Sequence, residues 1–211
     1  MARKRLQYTL FNTPVISSFL RVVALFLMKV TGWKTDGELP DVKKFVLVVA
    51  PHTSNWDLFY GIIIAFAYRL DVYYMAKHQL FKFPFGRLMR WLGGIRIDRS
   101  HAGNTVEQTI RKFNENEKLI IAIPPEGTRS KGAGWKTGFY HIAHGAGVPV
   151  MLAFIDYARK AAGIRGLLQT TGDIGVDMDF IRETYANVTG RYNDQKNEIL
   201  IDADEARRKI S

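Results

Sequence analysis

Short apolar runs alternate along this chain with longer stretches whose apolar residues recur at helical spacing. That alternation restricts the fold more than any other feature. Phe45–Ala50, Val72–Ala76, Leu119–Ile123 and Val148–Tyr157 read as strands. A strand covered on both faces loses its inside–outside alternation and becomes continuously apolar. A brief extended stretch at Ile95–Ile97 and a weaker strand near Gly166–Thr170 extend the set. Between them, Asn55–Leu70, Phe85–Leu92, Thr105–Glu115, Phe139–His144 and Asp177–Val188 read as helices, with a polar helix at the end of the chain. In the first of these Leu58, Ile62, Ala65 and Phe66 share one face. Strands separated by helices imply an α/β fold: one domain with a central mixed, largely parallel sheet flanked by helices. A chain of 211 residues suits one such core, and no repeat or linker divides it.

The amino-terminal stretch reads differently. Arg3, Lys4 and Arg5 precede an apolar run from Val15 to Val30 that Arg21 and Lys29 interrupt. The run falls short of the ~20 apolar residues a bilayer-spanning helix needs. No small-x-small cleavage site follows it, so a signal peptide fits poorly. Phe19, Val22, Val23, Phe26, Leu27 and Val30 recur at helical spacing. They predict an amphipathic helix lying in the plane of a membrane surface, with Arg21 and Lys29 reaching towards headgroups. The alternative is an ordinary amphipathic helix packed on the domain. The expected division is a membrane-associating segment over 1–33 and the α/β domain over 34–211. The net charge of +10 favours anionic partners such as lipid headgroups, phosphate-bearing substrates or nucleic acid. The absence of cysteine excludes a disulfide framework and a Cys nucleophile.

Three constellations carry chemistry. Pro51-His52-Thr53-Ser54-Asn55-Trp56-Asp57 lies where a buried strand hands over to a helix, the edge of an α/β sheet at which ligands bind. A histidine whose tautomer a carboxylate holds is the ordinary form of a general base. On a regular helix an i, i+5 pair would stand about 140° apart. His52 therefore has to precede the helix, with Ser54 as N-cap and Asp57 in the first turn. The same four residues, Ser54 to Asp57, also form a capping-box pattern, under which Asp57 only caps the helix. Pro124-Pro125-Glu126-Gly127-Thr128-Arg129-Ser130 follows the Leu119–Ile123 strand and presents Glu126, Thr128 and Arg129 at the sheet edge. Arg129 suits bidentate phosphate contact, and a polar surface turn is the plainer alternative. Gly93-Gly94-Ile95-Arg96-Ile97-Asp98-Arg99 delivers Arg99, and with it Arg96, from another strand end.

Taken in order, these segments resemble the blocks of the glycerolipid acyltransferase family, whose best-known members acylate lysophosphatidate. His52-x4-Asp57 is similar to its catalytic block, and Gly94–Arg99 to its second. Pro125–Ser130 resembles the third, with Pro124 where Phe is commoner. Gly147-Val148-Pro149-Val150 resembles the fourth. The resemblance covers roughly residues 45 to 155. It implies that His52 deprotonates the acceptor hydroxyl while Asp57 orients and charge-stabilises the imidazole. Arg96, Arg99, Glu126, Gly127, Thr128 and Arg129 would bind the acceptor. It implies acyl-CoA or acyl carrier protein as co-substrate, with no metal or other cofactor. The acceptor expected is lysophosphatidate, in phospholipid synthesis. The expected location is the cytoplasmic face of the inner or cell membrane, held there by the amino-terminal helix without spanning it. Nucleic acid is not an expected partner. Another lysolipid, such as a lyso-aminolipid, or a small alcohol is the alternative acceptor. A non-catalytic basic module binding membrane or nucleic acid is the alternative class.

Other patterns carry less. Gly132–Thr137 glances at a phosphate loop, but Trp135 occupies the place of the required glycine. His141 and His144 stand three apart on a helix with no carboxylate placed to complete a metal site, and read as structural. Tyr73, Tyr74, Phe81, Phe83 and Phe85, set among Lys77, Lys82 and Arg87, could stack nucleic-acid bases but suit a lipid interface or an acyl-chain groove better.

Overall fold

The computed structural model of the protein describes residues 7–98, 102–126, 134–196 and 199. In chain order its elements are α1 (Ile16–Thr31), β1 (Lys34–Asp36), β2 (Lys44–Ala50), α2 (Asn55–Ala67), β3 (Val72–Lys77), α3 (Gly86–Trp91) and β4 (Gly94–Ile97). There follow α4 (Ala102–Glu115), β5 (Leu119–Ala122), α5 (Gly138–Ala146), β6 (Val150–Asp156), β7 (Ala161–Leu168) and α6 (Ile174–Tyr185). The final polar helix expected from the sequence lies outside the described residues.

The strands form one seven-stranded sheet in the order β1-β7-β6-β2-β5-β3-β4. The five from β6 to β4 are mutually parallel. β7 runs antiparallel to β6, and β1 pairs parallel with β7. The sheet is mixed and largely parallel, as the alternation of strands and helices requires.

Successive side chains of β2 enter opposite layers. Val46, Val48 and Ala50 pack with Phe113 of α4, Phe139 and Ile142 of α5, and Met178 and Ile181 of α6. Phe45 and Leu47 face the other way, against Ala65 of α2. Each such fully buried aliphatic or aromatic side chain contributes about 1.5–3 kcal/mol. Both layers are closed, so β2 is apolar throughout.

Two strands differ from expectation. The polar three-residue β1 has no apolar period to betray it. β7 begins five residues earlier than the weak Gly166–Thr170 signal, because Gly163 hides its start. A Cβ at Gly163 would lie 2.0 Å from the Asp36 carbonyl oxygen, so the close approach of β1 excludes any side chain there.

The amino-terminal helix α1 packs antiparallel on α2. Phe11, just before it, meets Phe66 near the end of α2 at 5.0 Å, and Trp33, just after it, stacks on Tyr60 near the start at 4.0 Å. Its inner face, with Ala24 and Met28, joins Ile63, Ile64 and Phe66. Its outer face stays apolar and open: Phe19, Val22, Phe26 and Val30 are each 60% exposed or more. The helix is packed on the domain along one face and open along the other. No helix among the described residues is long and apolar enough to cross a membrane.

The chain leaves β2 towards β3 and leaves β5 towards β6, so these neighbours send their connections in opposite directions. At such a switch point the carboxyl ends of the strands open a crevice, the usual ligand position in this architecture. His52 stands two residues beyond the end of β2.

Candidate active site

The turn from β2 into α2 is built by hydrogen bonds within five residues. Ser54 is the N-cap, in extended geometry (φ −150°, ψ 156°), and its hydroxyl accepts from the Trp56 N–H at 3.2 Å. Asp57 reaches back so that Oδ2 accepts from the Thr53 and Ser54 N–H groups, each at 2.7 Å. The capping box is therefore real. It does not exhaust Asp57, because the same Oδ2 lies 3.6 Å from His52 Nδ1. That is an ion-pair distance rather than a hydrogen bond. The Asp57 side chain is wholly buried while that of His52 is 18% exposed. The carboxylate is thus fixed and dry, and the imidazole reaches the surface. Such a pair can hold a proton on His52 Nδ1 and make Nε2 the nitrogen that takes another.

Glu126, after β5, closes the turn from the neighbouring strand. Its Oε1 accepts from the His52 backbone N–H at 3.0 Å. A narrow crevice below is lined by Ala50, Pro51, Glu126, Trp135, Tyr185 and Lys196. Glu126 Oε2 and the Trp135 indole nitrogen have no hydrogen-bond partner among the described residues. Burial pushes the Glu126 carboxyl up to about 7, against the pull of the His52 N–H bond.

Between its usual 4.5 and about 7 the folded chain keeps a proton that the unfolded chain has released. Stability is therefore expected to fall as pH rises through that window, by on the order of 3 kcal/mol in all. Glu126→Gln keeps an acceptor for His52 and does not titrate, so its urea midpoint is expected to lack this slope. A parallel decline in both proteins between pH 5 and 7.5 would assign the slope to another group.

The remaining sequence candidates are placed unevenly. Arg99, Gly127, Thr128 and Arg129 lie outside the described residues. Arg96 is exposed on the edge strand β4, between buried Ile95 and Ile97. Three strand spacings separate β4 from β2, roughly 14 Å. The structure thus brings together His52, Asp57 and Glu126, and leaves Arg96 on the far flank. His144 Nδ1 lies 3.1 Å from the Thr170 hydroxyl and its ring stacks on Tyr140, a structural setting. Among the described residues no group of three or more His, Asp or Glu stands together as a metal site.

Two residues around the pair had no signal in the sequence. The Tyr157 hydroxyl, at the end of β6, donates to Asp57 Oδ1 at 2.7 Å across 100 residues of chain. The Arg191 guanidinium lies over the rings of Trp56, Tyr157 and Tyr192 at 5.2, 5.8 and 5.8 Å. Its segment is seated on the turn, where the Tyr192 N–H donates to the Thr53 hydroxyl at 3.3 Å.

Comparison with known proteins places this geometry in context. A family model described as Acyltransferase matches residues 29–152. The 1-acyl-sn-glycerol-3-phosphate acyltransferase of Haemophilus influenzae is 32% identical over 130 residues, covering 57% of this chain and 52% of that protein. Its counterpart from Escherichia coli is 33% identical over 141 residues, covering 63% and 55%. The chain spans about half the length of the curated relatives it matches. Among solved structures, the 1-acyl-sn-glycerophosphate acyltransferase of Thermotoga maritima matches with a TM-score of 0.53 at 18% identity, over 80% of this chain and 76% of that one. At that identity the likeness is one of fold.

Proposed function

The chain belongs to the acyltransferase family whose model spans its residues 29–152, and from that premise we propose that it moves a fatty acyl group from a thioester to the free hydroxyl of lysophosphatidate. The observation that carries this reading is the His52–Asp57 pair, 3.6 Å apart, at the carboxyl end of the central strand. The relatives named for 1-acyl-sn-glycerol-3-phosphate acylation support the choice of acceptor. Acyl-CoA or acyl carrier protein is the donor, and no further cofactor is required. The place of the reaction is phospholipid synthesis.

In this mechanism His52 Nε2 takes the acceptor's hydroxyl proton as its oxygen attacks the thioester carbonyl. The tetrahedral intermediate collapses with rupture of the carbon–sulfur bond, and the imidazolium returns the proton to the departing thiolate. Asp57 stabilises the imidazolium and holds the tautomer. Glu126 holds the His52 backbone. Arg99 and Arg129, with Gly127 and Thr128, take the phosphate end of the acceptor, arginine being suited to bidentate phosphate contact.

The substrates are lipids, and we place the protein on the cytoplasmic face of the inner or cell membrane. The open apolar face of α1 supports this. So does its neighbour α3, tied to the segment before α1 by the Leu10 N–H to Trp91 carbonyl bond at 2.7 Å. Phe83, Phe85 and Leu88 there are exposed as well. In this reading 1–33 is the membrane-associating segment and 34–211 the acyltransferase domain, a division by role, since α1 packs on α2. Phe19→Asp together with Phe26→Asp is expected to weaken binding to anionic phospholipid vesicles at least about tenfold, because two aromatic anchors are lost. Unchanged co-flotation would remove α1 as the anchor.

The deciding experiment is thiol release from acyl-CoA or acyl carrier protein across a panel of lysolipids. Release dependent on lysophosphatidate supports the full proposal. Release only with another lysolipid, such as a lyso-aminolipid, keeps the mechanism and moves the acceptor. Absence of release with either donor rejects the enzyme reading in favour of a basic binding module.

A further inference from the structure

We infer that Tyr157 is a positioning residue for the His52–Asp57 pair, its phenol holding the Asp57 carboxylate in the plane that turns Oδ2 towards His52 Nδ1. The inference rests on the proposed role of His52 as base.

The argument starts from the carboxylate. Asp57 Oδ2 is anchored by two N–H groups from its own turn. Rotation about the terminal torsion, which is broad and two-fold, moves both oxygens, so a donor on Oδ1 adds a second point at which it is resisted. The donation of the Tyr157 hydroxyl to Oδ1 at 2.7 Å supplies the second point. Asp57 is 2% exposed, so water does not replace that donor readily.

Tyr157 is itself held on several sides. Trp33 meets its ring edge-on at 5.2 Å and Tyr60 at 5.8 Å. Its backbone N–H donates to the Thr189 carbonyl at 3.0 Å. The phenol is therefore presented to Asp57 by the residue after α1, by α2 and by the segment that follows α6. Burial and the adjacent Asp57 push the Tyr157 hydroxyl well above its usual range, so it stays a donor. Tyr157 lies beyond the residues 29–152 that the family model matches.

A purely structural hydrogen bond would matter for stability and leave the chemistry of His52 alone. A positioning role has an electrostatic signature. A phenol that donates to Asp57 draws charge away from Oδ2. Its loss concentrates the charge opposite His52 and favours the imidazolium. The other titratable groups packed around the pair are Glu126 beside the His52 N–H, Tyr60 on α2, Arg191 above the Tyr157 ring, and Lys196 and Asp156 behind Glu126. None of them is substituted in the test, and Glu126, whose carboxyl burial pushes up to about 7, titrates alike in all the proteins compared.

The test compares Tyr157→Phe with 3-fluorotyrosine placed at position 157, in the full chain. Fluorine makes the phenol a stronger donor and preserves the packing. Tyr157→Phe is expected to lower kcat about tenfold, the scale of one hydrogen bond to a charged group, with KM for lysophosphatidate unchanged. The acid limb of its kcat/KM–pH profile is expected to move to higher pH, and that of the fluorotyrosine protein to lower pH. The His52 imidazole pKa, read by NMR against His52→Ala for assignment, is expected to shift in the same opposite directions. This second readout needs no turnover. A wild-type protein without transferase activity would therefore refute the proposed reaction while the Tyr157 inference remained open to test. A His52 pKa unmoved in both substituted proteins would overturn the inference. So would a lower melting temperature in Tyr157→Phe accompanied by wild-type kcat and pH profile. Should Tyr157→Phe fold poorly, the fluorotyrosine protein alone decides, by the direction of its shift.

Discussion

Replacing His52 with alanine is expected to lower kcat/KM for acyl transfer by at least about 10²-fold, the lower bound for removing a positioned general base. A lysolipid hydroxyl is a poor nucleophile until its proton leaves, and in the proposed mechanism Nε2 is the group that receives it. The substitution should leave the rest of the turn in place. Glu126 bonds the His52 backbone rather than the imidazole, and the Ser54–Asp57 cap does not involve residue 52. The unfolding midpoint is thus expected to stay near wild type while turnover disappears. Binding of acyl-CoA, measured by calorimetry, is expected to persist, because the loss falls on the transition state. A fully active His52→Ala protein would refute the mechanism. Loss of donor affinity in step with loss of turnover would move His52 from chemistry to binding.

Asp57→Ala is expected to fail in two ways at once. The wild-type carboxylate accepts from the Thr53 and Ser54 N–H groups and from the Tyr157 hydroxyl, each at 2.7 Å, in a buried position. Removing the acceptor strands three donors away from solvent. One such orphan costs roughly 1–3 kcal/mol, while the Ser54 hydroxyl still caps the Trp56 N–H. A destabilisation of about 3 kcal/mol or greater is expected in urea. Asp57→Asn separates structure from chemistry, since it retains the shape and one acceptor oxygen. Its amide carries no charge to stabilise an imidazolium and holds the tautomer poorly. A loss in kcat on the order of 10³-fold or more is expected, with smaller destabilisation. Near-normal turnover in a folded Asp57→Asn protein would reduce Asp57 to a helix cap.

These two substitutions bear on a pair that the sequence alone could place but not complete. The β2–α2 turn is legible because its geometry is local. Ser54 and Asp57 form the capping box within the first helical turn, and His52 has to precede it. The layered fold was legible for a similar reason. Short, Val-rich apolar runs such as Phe45–Ala50 suit strands covered on both faces, and amphipathic stretches such as Thr105–Glu115 suit the covers. The amino-terminal segment marks a limit. Its apolar period was visible, but both packed and lipid-facing readings fit it, and the structure shows one side packed on α2 and the other open.

What the sequence by itself determined, then, is the succession of elements and the position of the His52–Asp57 turn at a strand end, because backbone preference and burial period are encoded within a few residues. What only the tertiary structure decided is which distant groups surround that turn. Strand order brings Glu126 from β5 to one flank of His52 and Tyr157 from β6 to the other, 74 and 100 residues away along the chain from the residues they bond. Sheet order depends on crossovers and on the mutual fit of two helical layers, and none of this leaves a periodic trace near Tyr157. The polar strand β1 and the glycine-masked start of β7 were hidden for the same reason: their pairing comes from the neighbouring backbone, not from any pattern of their own.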